Sequence, residues 1–550
     1  MKFSGENNYN VGIKNNLFLS NQDLDVLSKW KYRVVDNSIT TKMLSPVWDW
    51  LVSFIPANCA PNVLTLSAFG CVLQAYWLVI VHGDEFPRAT AVGAALLTYG
   101  YFTLDALDGK HARVTKNGSV LGELFDHGCD NLGAAFQVVT LLKILGWNDP
   151  NTQWYLVQAA QLVFLYQHIV PYNNPDRTIR FGLLSGPGEV LHITVGIMGL
   201  HGVVGRPFMW ELYTKALRIS EDYIIDLGLP KFNVLIDDSS HINAEAFLAK
   251  GMQLIYYFVV VFLIFVLTKM LFMNKVVFVD GVKKIVPAEG NRRSGRALLI
   301  CLAIRIVPAV IMHHSHIVAY TQEQIISDGL FLSILTSDII IAKVSDRPVH
   351  SLIIVMTMCS IMSNFSIYAF LLLYYGSVFG DISSHLNLPI LNTVTNIYCD
   401  GVFDMLHRGH MEQFRKAHGS VAGGVRLFVG VVNDADATQY KRKPIMSEDE
   451  RYAAVESCKY VHAVIRDSPT IHASSEIGEK KKTVTEQMIE DYHLHYFAVG
   501  KEYEVPKEGK VDYYECPRKL GMIKYTSRTE GVSTSTVIAR IVERANELKD

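Results

Sequence analysis

The chain is short of charge, of paired cysteines and of any repeated or low-complexity tract. Its 550 residues include eight cysteines, none in CxxC spacing, so neither a thiolate zinc site nor a disulfide framework is indicated. Cys71, Cys301 and Cys359 fall inside apolar runs and read as small buried hydrophobes facing a reducing cytosol. Only 19% of residues are charged against 50% hydrophobic, and the net charge is −2. No basic stripe interleaves with aromatics, so no nucleic-acid partner is expected. The N-terminus, MKFSGENNYNVGIKNN, lacks a basic stretch followed by an apolar one; no cleaved signal peptide is expected, and membrane insertion falls to internal segments. The run Glu479-Lys480-Lys481-Lys482 reads as a solvated loop.

What is abundant is long apolar sequence. Candidate spans start near Val63, Thr90, Asp130, Trp154, Leu183, Gln253, Ala297, Gln324 and Leu352, and roughly eight to ten spans of about 20 residues are expected. Residues 207 to 249 are more polar and read as interfacial helices or a loop. From about Gly376 the apolar runs stop. Ser377 to Asn392 reads as a linker, dividing the chain into a polytopic α-helical membrane domain (1–376) and a soluble domain (393–550). In the latter, strands at Val394 to Cys399, Val425 to Val432, Tyr460 to Ile465 and His495 to Val499 alternate with helices at Met411 to Ala417 and Ser447 to Ser457. Strict alternation predicts a parallel sheet wound by helices, the α/β Rossmann-like class.

Ionisable residues inside membrane segments are costly and mark function. Asp105 and Asp108 lie three apart at the end of one predicted span; Asp126 and Asp130 lie four apart at the start of the next, so each pair shares a helix face. Two helix ends joined by a short turn can bring the four carboxylates together. Oxygen-only ligands select a hard divalent ion, Mg²⁺ or Mn²⁺. Gly109 and Gly122 permit close approach of a phosphate, and Arg113 can grip one bidentately.

These residues, DxxDGxxAR followed after eight positions by GxxxDxxxD, resemble the signature of the CDP-alcohol phosphotransferase family at every position. The blocks over Asp108–Arg113 and Leu121–Asp130 look like its eukaryotic choline/ethanolamine phosphotransferase branch. Lys31-Tyr32, Pro46, Trp48 and Ala60-Pro61-Asn62 are similar to that branch's amphipathic leading segment and first span. Val114 departs, where relatives often carry a second basic residue. The resemblance implies transfer of a phospho-alcohol from its CMP carrier to the hydroxyl of diacylglycerol, with Asn62, Gly109, Ala112, Arg113 and Gly122 around the CDP-alcohol. It assigns the base to Asp130. His127 competes, because an imidazole titrates near neutrality whereas a metal-bound carboxylate is a poor base, and Glu123, one turn earlier, could orient its ring.

In the soluble domain a strand runs through Gly401 into a turn and then a helix, with His407 and His410 near the helix N-terminus, where free N–H groups and the dipole attract phosphate. Gly409 leaves room for a nucleotide. A second such helix start follows at Arg528 to Ser535, where Ser533 and Thr534 can cap the helix. Residues of about 394 to 545 resemble the CTP:phosphocholine/phosphoethanolamine cytidylyltransferases. That likeness implies His407 and His410 as transition-state stabilisers, a CTP site including Gly401, Phe403, Gly409, Lys441, Arg451, Arg528, Ser533 and Thr534, and Asp404 near the alcohol end. Mg²⁺ is expected with the triphosphate. Arg442 and Thr470 depart from the likeness; Thr470 stands where an aromatic wall for choline is usual, while Tyr503 can supply a ring.

The expectation is a bifunctional enzyme of phospholipid synthesis. CTP and phosphoethanolamine or phosphocholine would give CDP-alcohol and pyrophosphate, and the membrane domain would pass the headgroup to diacylglycerol. An integral membrane location in endoplasmic reticulum or Golgi, with both sites facing the cytosol, is expected, and a homodimer is admitted. The alternative is an active phosphotransferase with a tail that senses CTP or CDP-alcohol. Inositol or glycerol phosphate as the alcohol is disfavoured by the Leu121–Asp130 block.

Overall fold

The computed structural model describes residues 15–545 except 31–33, 57, 116, 184–185, 213–214, 216–243, 280–281, 315–319, 387, 422–423, 441, 469–483 and 506–511. The N-terminal region holds α1 (Asn21–Leu27), β1 (Val34–Asp36), α2 (Ile39–Val52), α3 (Pro61–His82), α4 (Pro87–Val114), α5 (Val120–Leu145), α6 (Pro150–Asn173), β2 (Ile179–Phe181) and α7 (Pro187–Val204). A short α8 (Arg206–Leu212) follows at a 115° bend. Then come α9 (Ala244–Leu271), a hairpin of β3 (Asn274–Val279) and β4 (Val282–Pro287), α10 (Glu289–His314), α11 (Gln322–Ser345), α12 (Leu352–Ser360) and α13 (Asn364–Leu386). Prolines at the first helical position open α3, α4, α6 and α7, where a missing N–H costs nothing.

Among the described residues five helices are long and apolar enough to cross a membrane, or six if the bent α7–α8 pair is one span. The expected eight to ten are not confirmed among the described residues. The windows starting near Thr90, Asp130 and Trp154 fall on α4 to α6, which are long but mix carboxylates and glutamines into their apolar sequence, and the window at Leu352 is only a nine-residue helix. The polar stretch 207–249 lies mostly outside the described residues. The bundle centres on α11, whose apolar window is 94% buried. Gly329 allows this: a Cβ there would stand 2.7 Å from Val157 Cγ1 and 2.9 Å from Ala135 Cβ, so α11 meets α5 and α6 at small-residue distance. The opposite case is α9, only 22% buried in its window, which presents Phe258, Val261 and Phe265 outward.

The expected linker is also shorter than composition indicated. Helix α13 runs through Gly376 to Leu386, and two of its polar residues tie it to the N-terminal segment: buried Asp381 accepts the Asn15 and Asn16 N–H groups at 2.8 and 3.2 Å, and Ser377 donates to Asn15 Oδ1 at 2.6 Å. The connection is therefore only the stretch between Leu386 and Val394.

Beyond it lie β5 (Val394–Gly401), α14 (Arg408–His418), β6 (Gly424–Val431), α15 (Asp434–Tyr440), α16 (Glu448–Glu456), β7 (Ala463–Arg466), α17 (Glu486–Asp491), β8 (Tyr496–Gly500), α18 (Glu515–Lys519), β9 (Ile523–Thr526) and α19 (Thr534–Glu543). The sheet is wholly parallel, in order β7-β6-β5-β8-β9. Val394 pairs with Gly424 and Gly401 with Val431, so β5 and β6 end together. The order reverses direction at β5/β8, which opens a crevice at the carboxyl ends of those strands. Every predicted strand and helix of this domain is present; β9 was not foreseen.

Candidate active sites

Five residues separate α4 from α5, and Ser119 caps the second helix by accepting the Gly122 N–H at 3.1 Å. This tight antiparallel turn sets the last turns of α4 against the first turns of α5. Carboxylate oxygens of Asp105, Asp108 and Asp126 lie within 4.8 Å of one another. Asp105 also faces Asp130, whose Oδ1 accepts the Tyr101 hydroxyl at 2.8 Å. Asp130 thus stands as a fourth carboxylate outside the group of three. Asp108 is buried and receives the Thr65 hydroxyl from α3.

Asp126 Oδ1 is buried without a hydrogen-bond partner. An orphaned buried carboxylate oxygen beside two more carboxylates fits a divalent cation, which would satisfy oxygens the protein leaves bare. Around the trio the signature's small residues leave space. A Cβ on Gly122 would come 3.6 Å from Asn62 Oδ1, and one on Gly109 would come 3.6 Å from the Arg113 guanidinium, which is exposed at the helix end. Ala112 is half-buried between them. Asn62 Nδ2 donates to the Ile390 carbonyl at 2.8 Å, so this residue also touches the interdomain connection.

Glu123 does not orient His127, contrary to expectation. Its Oε1 accepts from Lys343 Nζ of α11 at 3.0 Å and its Oε2 from Trp30 Nε1 in the segment after α1, both far away in the chain. Lys343 and Glu123 side chains are 5% and 4% exposed, and a buried carboxylate takes the nearest cation. His127 instead has its Nδ1 buried without a partner and its ring edge-on to His168 at 5.4 Å. Sequence reasoning missed Thr65, Tyr101, Lys343 and Trp30, none of which belongs to the motif.

In the soluble domain the chain leaves β5 through a strained turn, with Phe403 at φ 53° and Met405 at φ 49°. Side-chain-bearing residues rarely adopt that region, and such strain clusters at functional sites. The turn delivers His407 as the cap of α14: its Nδ1 accepts the Gly409 N–H at 3.1 Å, leaving the proton on Nε2, 3.4 Å from Thr534 Oγ1. Thr534 also donates to the Asp404 carbonyl at 3.3 Å. The N-termini of α14 and α19 therefore converge. His407 and His410 stack with centroids 3.9 Å apart, and burial lowers the His407 pKa, keeping the ring neutral. Gly409 has no room for a side chain, since a Cβ would meet His407 Cε1 at 2.9 Å and Val532 Cγ1 at 3.2 Å.

Three residues expected around CTP or the alcohol make contacts within the protein frame. Arg451 is fully buried and donates to the Val402 and Val432 carbonyls and to Asp434, each at 2.7 Å. It braces the strained turn from behind, because carbonyls turned away from the sheet need a donor. The Asp404 carboxylate accepts the Ile445 and Met446 N–H groups at 3.1 and 3.0 Å, holding the segment before α16 in place of an alcohol. Phe403 is packed inward against His410 and Phe414. Ser533 caps α19 through a capping box with Thr536, Gly401 closes β5, and Arg528 is exposed nearby in sequence. Lys441 and Thr470 lie outside the described residues.

One cluster escaped sequence reading. Asp400, the last but one residue of β5, accepts the Tyr514 hydroxyl at 2.6 Å. Tyr513 meets Tyr514 edge-on at 4.7 Å, and Tyr503 lies 6.3 Å from Tyr514. Burial pushes the Asp400 pKa up to about 6, against the lowering hydrogen bond from Tyr514. Asp400 adjoins Gly401 in the motif, but its tyrosines come from more than a hundred residues downstream.

Comparison with known proteins agrees with this division. Residues 58–173 match the CDP-alcohol phosphatidyltransferase family and residues 398–540 the cytidylyltransferase-like family. Choline/ethanolaminephosphotransferase 2 of Arabidopsis thaliana is 38% identical over 198 residues, covering 35% of this chain and 49% of that protein. Choline-phosphate cytidylyltransferase 2 of the same plant is 34% identical over 152 residues, 28% of this chain and 46% of that protein. Ethanolamine-phosphate cytidylyltransferase of Dictyostelium discoideum is 33% identical over 157 residues, 28% of this chain and 39% of that protein. The chain spans about half the length of the curated relatives it matches.

Proposed function

We propose that this chain, which joins a CDP-alcohol phosphatidyltransferase domain to a cytidylyltransferase-like domain, carries out two consecutive steps of phospholipid synthesis. The soluble domain makes CDP-ethanolamine or CDP-choline from CTP and the phospho-alcohol, releasing pyrophosphate. The membrane domain transfers the phospho-headgroup to diacylglycerol, releasing CMP. The carrying observation is that both sets of groups are assembled in one chain, the carboxylate trio in α4–α5 and the stacked His407–His410 pair at converging helix N-termini.

At the soluble site the phosphate of the phospho-alcohol attacks the α-phosphorus of CTP. Charge grows on the phosphate oxygens, and the helix N-terminus with the two imidazoles stabilises it by preorganised N–H donors. The carboxylate of Asp400 and the rings of Tyr503 and Tyr514 suit an ammonium headgroup, which the acid balances and the aromatics surround. Mg²⁺ arriving with the triphosphate would neutralise part of its charge.

At the membrane site Asp105, Asp108 and Asp126 would hold Mg²⁺ or Mn²⁺, with Asp130 beside them. Bound there, the ion offsets the charge of the CDP-alcohol diphosphate. Arg113 and the open faces of Gly109 and Gly122 accept that diphosphate. Two groups are candidates to take the diacylglycerol proton: Asp130, whose carboxylate accepts the Tyr101 hydroxyl, and His127, whose Nδ1 is without a partner. Loss of lipid formation with metal binding intact, in Asp130→Asn or His127→Ala, identifies the base.

Both sites belong on the cytosolic side of an internal membrane such as endoplasmic reticulum or Golgi. The α9–α10 connection and the helix ends flanking it carry Lys269, Lys275, Lys283, Lys284, Arg292, Arg293 and Arg296, and positive connections stay cytosolic. It shares one end of the bundle with the carboxylates: Tyr172 at the end of α6 bonds Ser294 of α10 and the Arg347 carbonyl beyond α11, while Lys343 of α11 bonds Glu123. The deciding experiment supplies the purified protein in vesicles with CTP, diacylglycerol and each phospho-alcohol in turn. Pyrophosphate release and a new aminophospholipid are expected; CTP binding without pyrophosphate would reduce the tail to a sensor.

A further inference from the structure

The soluble domain meets the membrane domain by the amino-terminal edge of its sheet. The Val394 N–H, first in β5, donates to Asn117 Oδ1 in the α4–α5 turn at 3.2 Å. Arg426, third in β6, donates to the Leu386 carbonyl at the end of α13 at 3.4 Å. The Ile390 carbonyl, four residues before β5, is held by Asn62 beside Gly122. All five strands are parallel, so this edge is the same for the whole sheet.

Everything that would touch CTP or the phospho-alcohol lies at the opposite edge. His407, His410, Thr534, Asp400 and Tyr514 gather at or beyond the carboxyl end of β5. The eight residues of β5 set the two edges about 23 Å apart, its first and last residues being separated by roughly 3.3 Å for each step along the strand. The sheet itself, with its buried flanking cores, fills the space between.

From this placement we infer that the CDP-alcohol is not handed directly from one site to the other: it leaves the carboxyl edge into solvent and reaches the carboxylates by free diffusion. This rests on the two-step reading above. Fusion then fixes equal amounts of the two activities at one membrane and creates no private route for the intermediate.

The test uses two full-length variants, Asp126→Asn, which disables the membrane site, and His407→Ala, which disables the nucleotide site. Each is first assayed for the half-reaction it retains, pyrophosphate release for the former and lipid formation from CDP-ethanolamine for the latter. That control shows both variants fold; absence of either half-reaction in the wild-type protein overturns the two-step reading and this inference with it. The variants are then placed in separate diacylglycerol vesicles, mixed, and given CTP, Mg²⁺ and labelled phosphoethanolamine. The expected result is lipid formation at about half the wild-type rate for equal total protein, since half the copies of each site remain, together with dilution of label by added CDP-ethanolamine in the wild type. A mixed rate below about a tenth of wild type, with wild-type label undiluted, would overturn the inference while leaving both activities standing.

Discussion

On the proposed reading the two sites would take the same kind of ligand, a cytidine phosphate, and they are built with opposite local chemistry. The membrane site gathers acid: three carboxylates within 4.8 Å and a fourth beside them, inside a helix bundle. The soluble site gathers N–H donors and two stacked imidazoles at two helix starts, and the nearby acids Asp404 and Asp434 are engaged by backbone N–H groups and by Arg451. An acidic cluster binds phosphate only through a cation, so its activity depends on metal at the protein level; a helix N-terminus binds phosphate by itself. Rigidity also comes by different means. Helix packing holds the carboxylates, with Lys343 and Trp30 pinning the first turn of α5, whereas a buried arginine behind a strained turn holds the histidines.

The sharpest break between the two is Asp126→Asn. Lipid formation from CDP-alcohol should fall about a thousandfold or more, and pyrophosphate release should be unchanged. A chelator added to the lipid assay should reproduce the loss. The converse is His407→Ala, for which pyrophosphate release should drop about 10²- to 10³-fold while transfer from supplied CDP-alcohol stays at the wild-type rate.

Lys343→Met tests how the acidic site is held. It strands a buried Glu123 carboxylate, and thermal unfolding in detergent should register about 3–5 kcal/mol of destabilisation. Adding Glu123→Gln should restore most of that stability, because the uncompensated charge is gone. If the single variant melts like wild type, the ion pair contributes nothing.

A pH series separates the headgroup pocket from the histidines. Burial raises Asp400 to about 6, so the folded domain keeps this proton where the unfolded chain has released it; the group's stabilising effect appears as pH falls below about 6 and is lost above it. Ammonium binding has the reverse dependence, needing the ionised acid. KM for the phospho-alcohol should rise about tenfold per pH unit below that value, and Asp400→Asn should show a high, pH-flat KM. The smallest effect is expected for Tyr101→Phe. Losing one hydrogen bond to Asp130 should cost about 1 kcal/mol, near a fivefold drop in lipid formation.

Much of this was readable along the chain. The α4–α5 carboxylates lie within one short turn of each other, so helical spacing alone predicts their convergence, and the β5–turn–α14 succession announces a phosphate site. The span count was less readable, because α4 to α6 mix the polar groups that serve the site into sequence long enough to cross. The frame contacts of Arg451 and Asp404 were unreadable for a related reason. A motif reports which residues accompany a site, and only packing separates those that face the ligand from those that hold its frame.

Sequence by itself determined the class of each domain and the meeting of the α4–α5 carboxylates, since periodicity and close spacing act through local backbone geometry. Tertiary structure alone decided the partners of Glu123, found 220 residues away in Lys343, the tyrosines around Asp400, and the edge on which the soluble domain stands. Those contacts join segments whose separation in the chain carries no geometric information. They depend on how whole helices and the whole sheet pack, and that packing directs the two sites away from each other.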